Sequence, residues 1–286
     1  MKTRKIKLDQ AFLAPLKTFG GMPDKLWVRG RLPGCEEGRP KVVAIVGSRK
    51  NTDYGEAVAY KLAYDLARAG VIVASGLAYG IDAAAHRGCL DGDGITVAVL
   101  GTPIEQIYPR QNQMLAERIL EKGAIISEYG NDGLRGGWNF VQRNRIVSGL
   151  ADAVVIVEAA LKSGSLTTAT WALEQGKELF AVPGDITRPM SVGCNKVIKQ
   201  GAHVFTETED VLGVVFPRKA RQLKFEVFGD NELEEGILNE LRSGTSDGEE
   251  IMERLKLGVG EFNQAITMLE IKGTVRALGA NRWCLG

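Results

Sequence analysis

The sequence predicts a doubly wound, mostly parallel α/β sheet followed by a small domain of three helices and a hairpin. Three observations carry this reading. Seven short apolar runs, rich in β-branched residues, recur between residues 42 and 206. They are hydrophobic on both faces, as strands buried in a parallel sheet are. Helical stretches alternate with them, and beyond residue 231 the spacing changes to three short helices and an alternating tail.

The strand candidates are VVAIV (42–46), VIVA (71–74), ITVAVL (95–100), AIIS (124–127), AVVIVEA (153–159), ELFAVP (178–183) and AHVF (202–205). Helices are predicted at 54–69, 111–122, 165–175 and 194–200. In the first, Val58, Leu62 and Leu66 recur at four-residue spacing and would face the sheet, and Gly70 ends it. These elements set a sheet domain at 41–216, behind a lead segment at 1–40. The run PRKARQLKFEVFGDN (217–231) reads as a linker. Helices follow at 232–242, 247–255 and 260–271, with Ser246 and Glu249 spaced as a capping box for the middle one. The tail TVRALGANRWCLG alternates around a Gly-Ala-Asn turn, so residues 232–286 have the layout of a winged helix.

The chain has 286 residues, 44% hydrophobic and 25% charged, which suits one or two globular domains with a sizeable core. Its four cysteines, Cys35, Cys89, Cys194 and Cys284, form no CxxC pair, and only His86 and His203 are histidines. That pattern predicts neither a metal site nor a bound cofactor, and suits reduced thiols. The start MKTRKIKLDQ is basic but lacks an apolar h-region, and no stretch approaches the roughly 20 apolar residues of a membrane span. A cytoplasmic protein without membrane insertion is expected. Net charge is only +1, but residues 1–50 carry 12 basic against 4 acidic residues, whereas 221–286 carry 8 against 12. Any anion site is therefore local.

Ligands of a doubly wound sheet bind beyond the carboxyl ends of its strands. Gly47-Ser48-Arg49 follows the first predicted strand. It could grip a phosphate through amides, a hydroxyl and a guanidinium, or be a tight turn with a solvated arginine. Ser75-Gly76-Leu77-Ala78-Tyr79-Gly80-Ile81-Asp82 follows the second and suits a phosphate cradle ahead of a small-residue helix. Asp82 is expected to cap that helix rather than act as an acid, and His86 to be a packed, hydrogen-bonded residue. Lys162-Ser163-Gly164-Ser165-Leu166-Thr167-Thr168 offers hydroxyls, helix-terminal amides and an ammonium, but not the order of a P-loop. Ahead of the fifth strand, Phe140 is either a base-stacking or a core residue. Arg143, Asn144 and Arg145 then crowd the start of a short helix. Cations there oppose the helix dipole, so they call for an anion or for a buried carboxylate such as Glu128 or Glu158. No HExxH or GxGxxG is present, and no GxSxG follows a predicted strand of the sheet.

Seven motifs in one order resemble the DNA-processing protein A family (DprA/Smf). Besides the two glycine-rich turns and His86, they are Tyr108-Pro109-Arg110-Gln111-Asn112, Arg143-Asn144-Arg145-Ile146, Ser163-Gly164-Ser165-Leu166, Ala181-Val182-Pro183-Gly184 and Gly193-Cys194-Asn195. The resemblance implies an extended Rossmann-like fold that binds and protects single-stranded DNA. It also implies loading of the RecA recombinase in natural transformation, and a homodimer formed through the Rossmann-like domain. It gives phosphates to Gly47, Ser48 and Arg49, to Ser75, Gly76 and Gly80, to Arg143, Asn144 and Arg145, and to Lys162, Ser163, Gly164 and Ser165. Phe140 would lie near the bases, with Asp82, His86 and Asn195 as polar support. Val141 departs from the family's usual proline, and the acidic C-terminal domain suits a protein partner or a regulatory role better than a phosphate backbone.

Two other readings differ in class. A nucleoside-monophosphate phosphoribohydrolase would share the turn after the fifth strand, but the helix that follows offers only the late Glu174. A transcription factor with the large domain as sensor would need a basic winged helix. The sequence favours a binder without catalysis.

Overall fold

A computed structural model of the chain describes residues 3–130, 136–217 and 231–285. The chain forms two compact units, divided after residue 220. The predicted linker, but for its two end residues, lies outside the described residues.

Among the described residues, the first unit is built on one sheet in the order β1-β2-β6-β5-β4-β3-β7-β8-β9. Its strands are β1 (Arg4–Lys7), β2 (Lys25–Gly30), β3 (Val42–Val46), β4 (Ile72–Ser75), β5 (Thr96–Leu100), β6 (Ala124–Ser127), β7 (Ala153–Ile156), β8 (Glu178–Ala181) and β9 (His203–Val204). All pairings from β6 through β9 are parallel. Its helices are α1 (Asp53–Arg68), α2 (Ile81–Asp91), α3 (Gln113–Lys122), α4 (Gly137–Leu150), α5 (Ser165–Glu174), α6 (Val192–Lys199) and α7 (Thr208–Val215). Alternate strand residues feed opposite faces, as the pleat requires. Val42, Ala44 and Val46 pack with α4, α5 and α6, and Val43 and Ile45 pack with α1, α2 and α7.

The N-terminal residues are not a separate lead segment. β2 joins β6 antiparallel and β1 joins β2, extending the sheet by two strands. Phe12, Leu13 and Leu16 between them are buried against α4. Two further expectations are corrected. Helix α4 begins at Gly137, so Arg143, Asn144 and Arg145 lie in its middle and do not face its dipole. Asp82 does not cap α2, whose N-cap is Gly80; it binds the loop before the helix.

The second unit contains α8 (Glu232–Arg242), α9 (Gly248–Leu255), α10 (Val259–Ile271) and the hairpin β10 (Val275–Gly279) and β11 (Arg282–Leu285). Ile237, Leu241, Ile251, Phe262, Ile266 and Leu269 form its core. Asp247, not Ser246, caps α9, accepting from the amides of Glu249 and Glu250 at 2.9 and 3.3 Å. Ala280 and Asn281 turn the hairpin with positive φ, the backbone a two-residue turn needs. No described helix is long and apolar enough to cross a membrane.

Candidate functional site

The chain leaves β3 toward β4 on one side and returns to β7 on the other. The loops after these strands diverge and leave a crevice at their carboxyl ends. A cavity of about 520 Å³ opens there, with Gly47, Ser48, Arg49, Gly76, Phe140, Arg143, Asn144, Ser163, Gly164 and Ser165 in its lining.

The loop after β3 forms one wall. A Cβ on Gly47 would lie 2.6 Å from the Ile81 side chain and 3.0 Å from the Glu158 carbonyl, so the backbone turns where a side chain has no room. The Ser48 amide donates to that carbonyl at 2.8 Å and joins this loop to the one after β7. Arg49 and Lys50 are exposed, and no carboxylate among the described residues pairs with either. The Arg49 guanidinium lies over the Phe140 ring at 5.0 Å, and Tyr108 meets the same ring at 5.5 Å. Tyr108 and Tyr79 are 46% and 39% exposed and border a smaller recess beside the first.

The floor is a buried arginine and a buried aspartate that hold one loop between them. Arg143 is 4% exposed. Its Nη1 donates to the carbonyls of Gly76, at 2.6 Å, and Val99, and its Nε donates to Asn144 Oδ1 at 3.2 Å. Burial pulls the guanidinium down to about 10, against the opposing pull of Asp82. Asp82 accepts from the amides of Gly76 and Ala78 at 3.1 and 3.4 Å. Burial raises its pKa, and the Arg143 charge works the other way. His86 lies outside the cavity. Thr96 Oγ1 donates to the Val73 carbonyl at 2.8 Å, so it accepts from His86 Nδ1 at 2.7 Å. The imidazole is neutral, pushed down to about 3 by burial.

The third wall is the start of α5. Ser163 and Ser165 hydroxyls lie 2.6 Å apart, and the Ser165 amide donates to Ser163 Oγ at 3.3 Å. Asn144 holds this turn through Gly164 O at 3.2 Å and Thr167 Oγ1 at 3.1 Å. Thr168, 1% exposed, lines the cavity with a buried hydroxyl that has no protein partner. A buried donor without an acceptor suits an incoming anion, next to helix-terminal amides.

Four residues assigned to this site by sequence do not line the cavity. Ser75 is fully buried and donates to the Ile45 carbonyl at 2.6 Å. Gly80 has φ 74° and backs against the Ser48 carbonyl, shaping the turn from behind. Arg145 pairs with both oxygens of Glu128 at 2.8 and 3.0 Å and donates to the carbonyls of Gly21 and Gln142. It ties the N-terminal segment to α4. Lys162 is exposed beside the α5 wall but outside the lining. Asn195 clasps both backbone groups of Gly184, at 2.9 and 3.2 Å. Glu158 takes the Thr52 amide at 2.9 Å and the Thr52 hydroxyl at 2.5 Å, and pairs with neither arginine. Lys50, Thr168 and Tyr108 belong to this surface but were not assigned to the site by sequence. Thr168 and Tyr108 lie within quoted motifs and Lys50 directly follows one, and the three-residue spacing of Thr168 from Ser165 on α5 was the available signal.

A family model described as DNA recombination-mediator protein A matches residues 5–215. Protein Smf of Escherichia coli is 44% identical over 209 residues, which are 72% of this chain and 55% of that protein. DNA processing protein DprA of Bacillus subtilis is 39% identical over 196 residues, 68% of this chain and 65% of that one. The chain therefore spans about half the length of the E. coli relative. The crystal structure of DNA processing protein A from Streptococcus pneumoniae aligns with TM-score 0.67 at 35% identity, covering 74% of each chain. A Helicobacter pylori DNA processing protein A structure, reported for its single-stranded DNA binding mode, aligns with TM-score 0.67 at 29% identity over 76% of this chain and 97% of that one.

Proposed function

The chain belongs to the DNA recombination-mediator protein A family, and on that premise we propose that it binds single-stranded DNA without regard to sequence, through the crevice at the carboxyl ends of β3, β4 and β7. The observation that carries this is the grouping on one cavity of an unpaired Arg49, Phe140 and the hydroxyl-lined start of α5, with Tyr108 against Phe140 in the recess beside it. Cations and helix-terminal donors suit phosphates, while aromatic rims suit any base, since every base has a π-face. Nothing in the lining resembles a donor–acceptor code for one base edge. The single-stranded DNA binding described for the H. pylori relative supports the same reading.

Within this proposal the protein protects its strand and hands it to the RecA recombinase during natural transformation, acting in the cytoplasm as a homodimer through the large unit. The second unit, with the helix order and hairpin of a winged helix, serves as a protein-binding or regulatory module. Its α10 carries Glu261 and Glu270 and no basic residue, which disfavours a phosphate backbone. The site binds and does not catalyse. Asp82 is committed to the Gly76–Ala78 loop, Glu158 to Thr52, and Glu174 at the end of α5 is outside the lining, so among the described residues none of these carboxylates is poised for glycosidic cleavage.

Fluorescence anisotropy of labelled oligo(dT) against a matched duplex, across a salt series, tests this. The expected result is single-strand preference with a log K–log salt slope of about −0.7 per phosphate contacted. No single-strand binding at low salt, or release of adenine from AMP, would overturn it.

A further inference from the structure

The sheet carries a second cluster of cations, away from the cavity, on its two N-terminal strands. The register pairs Lys7 with Lys25 and Lys5 with Trp27. These four side chains share one face by the pleat, and Lys5 Nζ lies 5.2 Å from the Trp27 ring centre. Lys5, Lys7 and Lys25 are exposed. Among the described residues no carboxylate lies within ion-pair distance of any of them, Asp9 and Asp24 beside them included, whereas Arg29 on the same face is paired with Glu105. Like charges directly opposite on an antiparallel pair destabilise it. Lysines on β1 alone would guard the sheet edge against pairing with another chain. That guard does not call for Lys25 on the inner neighbour, facing Lys7.

The position is informative. Trp27 pairs with Ser127, the last residue of β6, so Lys25 and Lys7 lie beyond the carboxyl end of β6. The cavity opens on this same edge of the sheet. From β3 to β1 is five strand spacings, or roughly 24 Å. At the duplex rise of 3.4 Å that is about seven nucleotides of one strand, and fewer when the strand is extended.

We propose that Lys7 and Lys25, with Lys5 and the half-buried Trp27, form a second phosphate-contacting site for the single strand held in the cavity, reached along the carboxyl edge of the sheet. It rests on the single-strand binding proposed above. The strand's phosphates supply the counter-charge that this lysine pair lacks, and the site sets how many nucleotides one protomer covers.

The test compares labelled oligo(dT) of about six and about twenty nucleotides on the full chain, in the wild type, K7E/K25E and the milder K7Q/K25Q. The expected result is unchanged affinity for the short strand and roughly tenfold weaker binding of the long one by the charge-reversed variant. Its salt slope falls by about 1.4, the value for two lost phosphate contacts on single strands. K7Q/K25Q shows the same slope change with a smaller loss. Lys7→Glu alone, which leaves opposite charges facing, raises the melting temperature of the free protein while weakening the long strand. Wild-type affinity and slope on the long strand in both double variants overturn this inference alone. Failure of the wild type to bind either strand overturns the function proposed above, and this inference with it.

Discussion

The guanidinium of Arg143 lies so close over Gly76 that a Cβ there would be 2.1 to 2.3 Å from its Nη1, Nη2 and Cζ atoms. Glycine at 76 and arginine at 143 are one device. The missing side chain admits the charge, and the charge in turn holds the Gly76 carbonyl and so the loop after β4. Because Arg143 is buried and also bonded to Val99, it cannot swing aside. Gly76→Ala should destabilise the large unit by roughly 1–3 kcal/mol, the usual cost of overpacking, and should loosen the cavity floor. Thermal melting and oligo(dT) anisotropy on the same variant would check both, and a wild-type melting curve would contradict the packing argument.

Arg49 and Arg145 should separate binding from stability. Arg49 is exposed and its charge is unpaired, so Arg49→Ala should leave melting unchanged and flatten the salt slope by about 0.7. Arg145 is spent on Glu128 and two backbone carbonyls. Arg145→Ala should cost about 2–3 kcal/mol of stability, near the low end for a broken buried pair because Glu128 keeps some contact with water. Its salt slope should stay that of the wild type. The reverse assignment would show Arg145 reaching a phosphate.

Phe140 carries a cation on one side and a tyrosine beside it. A base entering between these rings gains stacking of about 1–3 kcal/mol. Phe140→Ala should therefore weaken oligo(dT) and oligo(dA) alike, with the salt slope retained, because no phosphate contact is lost. Loss confined to one base would point to edge recognition instead.

What the sequence made legible follows from which signals are local. The strands of the parallel sheet stand out because both faces are buried, as in Val42–Val46, all five of whose residues are buried. β2 escaped because it is half-buried: Lys25, Trp27 and Arg29 alternate with the buried Leu26 and Val28, and the charges masked a period of two. The positions of the loop residues were legible from strand ends, and ten of the fourteen assigned to the site line the cavity. Their roles were not. Arg143 and Arg145 are two residues apart on one helix, yet one lies under the cavity and the other reaches Gly21, a contact 124 residues away in the chain. Only tertiary packing separates them.

His86 gives the fold a titration that sequence alone does not reveal. It is fully buried and neutral, with its pKa pushed from 6.5 down to about 3 by desolvation and the nearby Arg143 charge. The unfolded chain takes up a proton near pH 6.5 that the folded one refuses until about pH 3. Between these values the unfolded state binds more protons, so stability is full above pH 6.5 and falls as pH drops, by at most about 1.4 kcal/mol per unit. Asp82, its pKa raised by burial, acts in the opposite direction, losing stability as pH rises through its folded value. Comparison of wild type with His86→Gln cancels that contribution. The glutamine keeps a donor for Thr96 but cannot titrate, so it should be less stable than the wild type at pH 7.5, and the gap should narrow steadily toward pH 4.5 in urea melts. A gap that stays constant with pH would mean that His86 takes up its proton as readily in the fold as in the unfolded chain, and that its ring is wetter than its packing shows.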